Sequence, residues 1–135
     1  MKKTKILSFI LAVLLFAMCF ASTVLAVEAR LTNTMQTVTC FVISETGLAM
    51  VYVDYIGREE LLTRATMTIT IKKRFLLLFW TEVTTHTITS TEAMYNETFE
   101  YQLEDTGTYK CNVEYVITGS TGATDTIPFE DTATY

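Results

Sequence analysis

Residues 105–117 read DTGTYKCNVEYVI, and this stretch carries the clearest information about the fold. From its middle onward, apolar side chains occupy every second position: Tyr109, Cys111, Val113, Tyr115 and Ile117. A period of two is that of a β-strand with one buried face. Asp105 and Gly107 come just before it, and both residue types favour tight turns. We therefore expect a sharp corner that leads into a half-buried strand.

The same alternation recurs along the chain after residue 34, and helical periodicity is absent. Thr, Val, Ile, Tyr and Phe, which favour strands, are abundant there. We predict an all-β, antiparallel β-sandwich of about seven strands in one domain. Residues 90–96 are expected to form a connection that could contain one helical turn, and residues 130–135 a loose end. The predicted strands cover residues 35–43, 48–55, 65–72, 80–89, 99–103, 109–117 and 125–129.

The series Asp105-x-Gly107-x-Tyr109-x-Cys111 resembles the tyrosine corner of immunoglobulin-like domains, where the Tyr hydroxyl bonds back across the turn. The resemblance implies an immunoglobulin-like sandwich in which Cys40 and Cys111 replace the second-strand and sixth-strand cysteines. It also implies a Cys40–Cys111 disulfide, and two free buried thiols are the alternative. Residues 48–55 lack the Trp of true immunoglobulin domains. The resemblance therefore concerns the arrangement of the strands and not kinship with antibodies.

A second resemblance covers most of the chain after residue 26. The chain is similar to a group of small secreted proteins of Gram-positive bacteria that supplies no activity to carry over. The matching features are Ile56-Gly57, Met94-Tyr95-Asn96, Gly107-x-Tyr109 and the Gly- and Ser-containing turn at residues 119–122.

Residues 1–26 have the pattern of a secretory signal peptide. Lys2, Lys3 and Lys5 give a basic start, and residues 6–20 are almost entirely apolar. We predict an N-terminal signal helix cleaved after Ala26, a domain at residues 27–135, and a secreted or cell-surface protein. The alternative is an uncleaved N-terminal helix that anchors the protein in a membrane, although the apolar run is shorter than the ~20 residues of a typical span.

The part after Ala26 is acidic. It holds seven of the ten Lys and Arg residues and all fifteen Asp and Glu residues, which gives a formal charge of −8. Nucleic-acid binding depends on basic patches that neutralise phosphates. We therefore expect no nucleic-acid partner.

Residues 72–80 read KKRFLLLFW and form the most unusual local feature. A run of consecutive apolar residues cannot all face one side of a strand. At a hairpin tip some would be exposed beside the basic cluster, as on surfaces that contact anionic membranes or apolar partners. The alternative, which we prefer, is a strand buried on both sides or a bulge that turns Phe79 and Trp80 into the core. The candidate contact residues are Lys72, Lys73, Arg74, Phe75, Leu76, Leu77, Leu78, Phe79 and Trp80.

No motif indicates catalysis. His86 is the single histidine and lies among threonines. The serines lack the sequence context of a nucleophile elbow, and paired acids at residues 59–60, 104–105 and 130–131 are interpreted as solvated loop charges. Asn96 begins a glycosylation sequon, which matters only in a eukaryotic source.

The sequence therefore favours a non-catalytic β-sandwich module with a binding or structural role and with neither cofactor nor metal. The partner is expected to be an extracellular protein, a glycan or a membrane surface, and a homodimer could form through a sheet edge. The alternative is a membrane- or envelope-associated protein that acts through residues 75–80. A small hydrolase is the third hypothesis.

Overall fold

The computed structural model describes residues 31–135, which form two antiparallel sheets. One sheet has the strand order β1-β2-β5 and the other β4-β3-β6-β7. The prediction of an all-β fold with two antiparallel sheets and seven strands is confirmed for this part of the chain. The strands are β1 (Thr34–Ile43), β2 (Leu48–Gly57), β3 (Leu62–Phe75), β4 (Phe79–Ser90), β5 (Met94–Gln102), β6 (Thr108–Gly119) and β7 (Thr124–Thr134).

The predicted signal peptide, residues 1–26, lies outside the described residues. Between residues 31 and 135, no helix has the length and apolar character needed to cross a bilayer.

The core lies between the facing sides of the two sheets, on the faces that the alternation predicts. β3 and β6 are the central strands of the larger sheet and pair along almost their whole length. On β6, every predicted inward side chain is at most 2 % exposed. On β3, the inward side chains Ala65, Met67, Ile69 and Ile71 are fully buried. Burial of these apolar side chains is the main favourable contribution to the stability of the sandwich.

Two of the predicted boundaries are wrong. β5 begins at Met94, so residues 90–96 do not form a connection with a helical turn. β7 continues to Thr134, so residues 130–135 are not a loose end. Both segments are strands because a neighbouring strand supplies their hydrogen-bond partners: β2 pairs with β5 up to Ile56↔Met94, and β6 pairs with β7 up to Thr108↔Thr134.

The corner before β6 contains the hydrogen bond that the sequence suggests. The Tyr109 hydroxyl donates to the backbone carbonyl of Asp105 at 2.6 Å. Gly107 has a φ of +148°, a backbone conformation that a side chain would strain. Its amide donates to the carbonyl of Tyr135, and the Tyr135 amide donates back to Gly107. The corner therefore also holds the end of β7.

The implied Cys40–Cys111 disulfide is absent, because both cysteines are free. Cys40 lies on β1 and is exposed, whereas its neighbour Phe41 points into the core and is 4 % exposed. Cys111 points into the core from β6 and is fully buried. The two thiols therefore lie on opposite sides of the smaller sheet. Burial, with a further contribution from Asp131, raises the pKa of Cys111 to about 12, so this thiol stays protonated near neutral pH.

Candidate functional site

The β3–β4 hairpin ends in an exposed apolar tip, which we define as residues 75–79. The two strands pair as far as Phe75↔Phe79 and leave residues 76–78 as the turn. The exposed fractions are 57 % for Phe75, 69 % for Leu76, 81 % for both Leu77 and Leu78, and 61 % for Phe79. The preferred prediction that this run is buried is therefore wrong. The hairpin extends past the end of the core, so the core cannot cover its last residues.

The turn of the apolar tip has an unusual backbone. Leu76 and Leu77 have φ values of 49° and 65°, in the left-handed region. The Leu78 amide donates to the Leu76 carbonyl at 2.8 Å, which closes the turn. Hairpin turns with positive φ usually contain Asn or Gly, because a side chain in this region costs about 1 kcal/mol or more. Two leucines in this region are therefore unfavourable for the stability of the turn.

Trp80 lies directly behind the apolar tip, on the outer face of the larger sheet. Its cross-strand partner is Arg74, whose guanidinium carbon is 5.1 Å from the centre of the Trp80 ring. The Lys110 ammonium is 4.5 Å from the same centre. Both distances are in the range of cation–π interactions. Trp80 is thus partly covered by two positive charges.

We call Lys72, Lys73, Arg74 and Lys110 the cationic collar. Lys73 and Lys110 form ion pairs with Asp105 and Glu130 at 3.1 Å and 3.0 Å. Within residues 31–135, Lys72 and Arg74 form no ion pair.

Lys72 and Lys110 are direct cross-strand partners. Like charges opposite each other in a sheet are destabilising. The Glu130 carboxylate, which pairs with Lys110, offsets part of this repulsion.

Lys110 was not among the residues selected from the sequence. It lies 30 positions after Trp80, and only the pairing of β3 with both β4 and β6 brings the two together. The sequence does place Lys110 on the outward face of the Tyr109 strand, because it alternates with the inward residues. Without the strand order, this placement does not say which neighbour Lys110 faces.

The predicted corner residues border the collar. Asp105 forms the ion pair with Lys73, and the Lys73 ammonium is 5.9 Å from the centre of the Tyr109 ring. The corner and the apolar tip therefore lie at the same end of the sandwich. Met35, Met94 and residues 58–61 lie at the opposite end, where β1 begins and β2 ends.

The remaining candidates are scattered. The His86 ring stacks on Phe99, with ring centres 4.6 Å apart. Asn96 is exposed on β5. Glu59 and Glu60 line an open cleft of about 400 Å³ at the end opposite the apolar tip. In the part of the chain that the structure describes, no three His, Cys, Asp or Glu side chains are grouped as a metal site requires.

No family model, curated protein or solved structure matches this chain. A functional proposal therefore depends on the geometry of the described residues.

Proposed function

We propose that this protein is a secreted or cell-surface, non-catalytic module with an immunoglobulin-like β-sandwich that binds anionic membrane surfaces through the apolar tip. The observation that supports it most strongly is the exposure of five consecutive apolar side chains, residues 75–79, each 57 % or more exposed. Apolar surface gathered in this way is a mark of contact sites. The tyrosine corner between Asp105 and Tyr109 supports the immunoglobulin-like assignment.

The order of side chains along the hairpin favours a lipid surface over an apolar protein groove. Leucines and phenylalanines occupy the end, Trp80 lies one residue further back, and Arg74 and Lys110 of the cationic collar lie over the Trp80 ring. A membrane has the same order: hydrocarbon, then the interface where Trp is enriched, then anionic headgroups that attract Lys and Arg. The hairpin is therefore complementary to a membrane in both polarity and charge.

The expected affinity is modest. Transfer of a Leu side chain from water to apolar surroundings contributes about 1.5–3 kcal/mol, and a basic residue near an anionic surface contributes about 1 kcal/mol. Three leucines would thus contribute about 4.5–9 kcal/mol if fully inserted. A single acyl chain likewise gives only reversible binding. We therefore expect reversible binding that depends on the content of anionic lipid.

The first prediction concerns Leu77, one of the two most exposed residues of the apolar tip. The protein should float with vesicles of phosphatidylcholine that contain phosphatidylglycerol, and not with phosphatidylcholine alone, at physiological salt. Leu77→Asp should abolish flotation and leave the melting temperature unchanged, because the side chain has no contact with the core.

Met94→Asp is the matched control. Met94 is 65 % exposed at the opposite end of the sandwich, so this variant should still float. Absence of flotation of the unmodified protein would count against the membrane proposal and favour an apolar protein partner. Unfolding of Leu77→Asp would show that the tip is structural.

A further inference from the structure

β4 is an edge strand with a bulge at Val83 and a charge at Glu82, but its residues 84–90 lack the usual protection against pairing. It lies at one edge of the larger sheet, and its other edge has no strand partner among residues 31–135. Residues 83–90 read VTTHTITS and contain no charged residue, Pro or Gly. An exposed edge presents free backbone N–H and C=O groups, which natural proteins normally shield with charges, Pro or bulges. Strand-forming, uncharged residues make this edge a template for another strand.

Two of the other edges carry such protection. β7, at the far edge of the larger sheet, contains Pro128, Glu130 and Asp131. β5, at one edge of the smaller sheet, contains Glu97 and Glu100.

β1 contains no charged residue, but one of its backbone carbonyl groups already has a hydrogen-bond partner. The carbonyl of Val38 accepts a hydrogen bond from the Tyr115 hydroxyl at 3.1 Å, and the register of β1 shifts between Thr34 and Gln36. Of the four edges in the described part of the chain, β4 is therefore the one best suited to accept a strand.

The outer face of β4 has a regular pattern that a second β4 would continue. Three cross-strand Thr pairs join it to β3: Thr66↔Thr89, Thr68↔Thr87 and Thr70↔Thr85. The β4 members of these pairs, Thr85, Thr87 and Thr89, are exposed. Thr–Thr pairs across strands are favourable, by roughly 0.2–1 kcal/mol relative to Ala pairs. An identical strand would bring the same threonines to the open side.

We propose that a second copy of this chain pairs with the edge of β4 in an antiparallel, two-fold arrangement centred on Thr87. Thr87 then faces Thr87 of the other copy, and Thr85 faces Thr89. The paired segment is residues 84–90, so Glu82 and Glu92, which this register would oppose, both lie outside it. Because the edges pair, the two larger sheets join into one continuous sheet across a self-complementary two-fold interface.

Disulfide trapping tests this register. In a Cys40→Ser background, which removes the exposed native thiol, Thr87→Cys places one thiol on the proposed two-fold axis. Directly opposed residues of antiparallel strands are about 4.5–5.5 Å apart at Cα, a distance that a disulfide spans. Oxidation with copper phenanthroline should give a covalent dimer. Thr98→Cys is the matched control, since Thr98 is an exposed threonine on the edge strand β5.

Sedimentation over a dilution series provides the second readout. The unmodified protein should shift towards dimer with rising concentration, and Thr87→Lys should remain monomeric because two lysines would meet at the axis. Thr98→Lys should dimerise like the unmodified protein. A monomer at every concentration, or equal trapping through Thr98→Cys and Thr87→Cys, would overturn the proposal.

Discussion

Asp125 shows how one residue holds the start of β1 on the opposite sheet. Its carboxylate accepts hydrogen bonds from the amides of Thr32, Asn33 and Thr34 at 2.9, 2.7 and 2.9 Å, and from the Thr34 hydroxyl at 2.8 Å. Burial alone raises the pKa of Asp125. The hydrogen bonds to the charged form outweigh this effect, so the pKa lies below its usual value of 3.8.

Asp125→Asn should lower the free energy of unfolding by about 1–3 kcal/mol, because an amide cannot accept all four hydrogen bonds and buried donors lose their partner. The contribution of Asp125 is fully present above pH 3.8, its usual pKa, and is lost as the pH falls through the lower pKa of the folded state. The difference in free energy of unfolding between Asp125→Asn and the original protein, measured by urea denaturation, should therefore shrink as the pH falls below 3.8.

Glu100→Gln is the control for Asp125→Asn. Glu100 is an exposed carboxylate on β5 that makes no side-chain hydrogen bond or ion pair within residues 31–135. This variant should unfold like the original protein at neutral pH, because the change removes no hydrogen bond or ion pair of the described residues. A constant difference between Asp125→Asn and the original protein down to strongly acidic pH would contradict the role given to the charged carboxylate.

The two cysteines show a limit of residue-level reasoning. Val38, Cys40 and Val42 alternate along β1, and all three are exposed. Which face of β1 is turned to the core depends on the pairing of β1 with β2 and on Phe41, which is 4 % exposed. The resemblance to immunoglobulin-like domains could not decide this, since it rested on one corner of the chain.

At the level of elements, the β3–β4 hairpin combines a regular body with a strained turn. β3 follows its predicted alternation from Ala65 to Ile71. The turn instead places Leu76 and Leu77 in the left-handed region. If the leucines are there for membrane contact, better turn residues should improve stability and remove binding.

The double variant Leu76→Asn, Leu77→Gly should raise the free energy of unfolding by about 1 kcal/mol, since Asn and Gly tolerate positive φ at lower cost. It should also lose flotation with phosphatidylglycerol-containing vesicles. Chemical denaturation and flotation measure the two effects separately.

Leu78→Gly is the matched control for this double variant. Leu78 is as exposed as Leu77, at 81 %, but has no positive φ. Gly at this position should weaken vesicle binding without raising stability. If the double variant were less stable than the original protein, or still floated fully, the turn would not be a stability cost accepted for binding.

For the whole molecule, the two proposals together place the apolar tips of a dimer at opposite ends. Antiparallel pairing centred on Thr87 puts Phe79 of one copy eight residues from the axis on one side and Phe79 of the other copy on the opposite side. At about 3.3 Å per residue, the two tips are roughly 50 Å apart along the strand direction. Such a dimer can contact two membranes and not one membrane twice.

The dimer should therefore cluster anionic vesicles, which an increase in turbidity reports. Thr87→Lys should still float with the vesicles and should not cluster them. Leu77→Asp should do neither, and Thr98→Lys should do both. Clustering by Thr87→Lys at the level of the original protein would contradict the proposed dimer bridge. It would not contradict the proposal that the protein binds membranes.

The sequence by itself determined the local structure of this protein. Alternation along β3 and β6 identified the strands and their buried faces, because the side-chain period of a strand is a property of the backbone alone. The order Asp105, Gly107, Tyr109 indicated the corner, because its hydrogen bond links residues four positions apart. The run at residues 75–80 was recognised as unusual from its composition.

Only the tertiary structure decided which surfaces remain open. Exposure of the apolar tip follows from the length of the hairpin relative to the core, and the position of Lys110 beside Trp80 follows from strand order. The outward direction of Cys40 and the open edge of β4 depend on which strands pair. The physical reason is that burial and edge pairing are set by contacts between residues far apart in the chain, and alternation contains no information on those contacts.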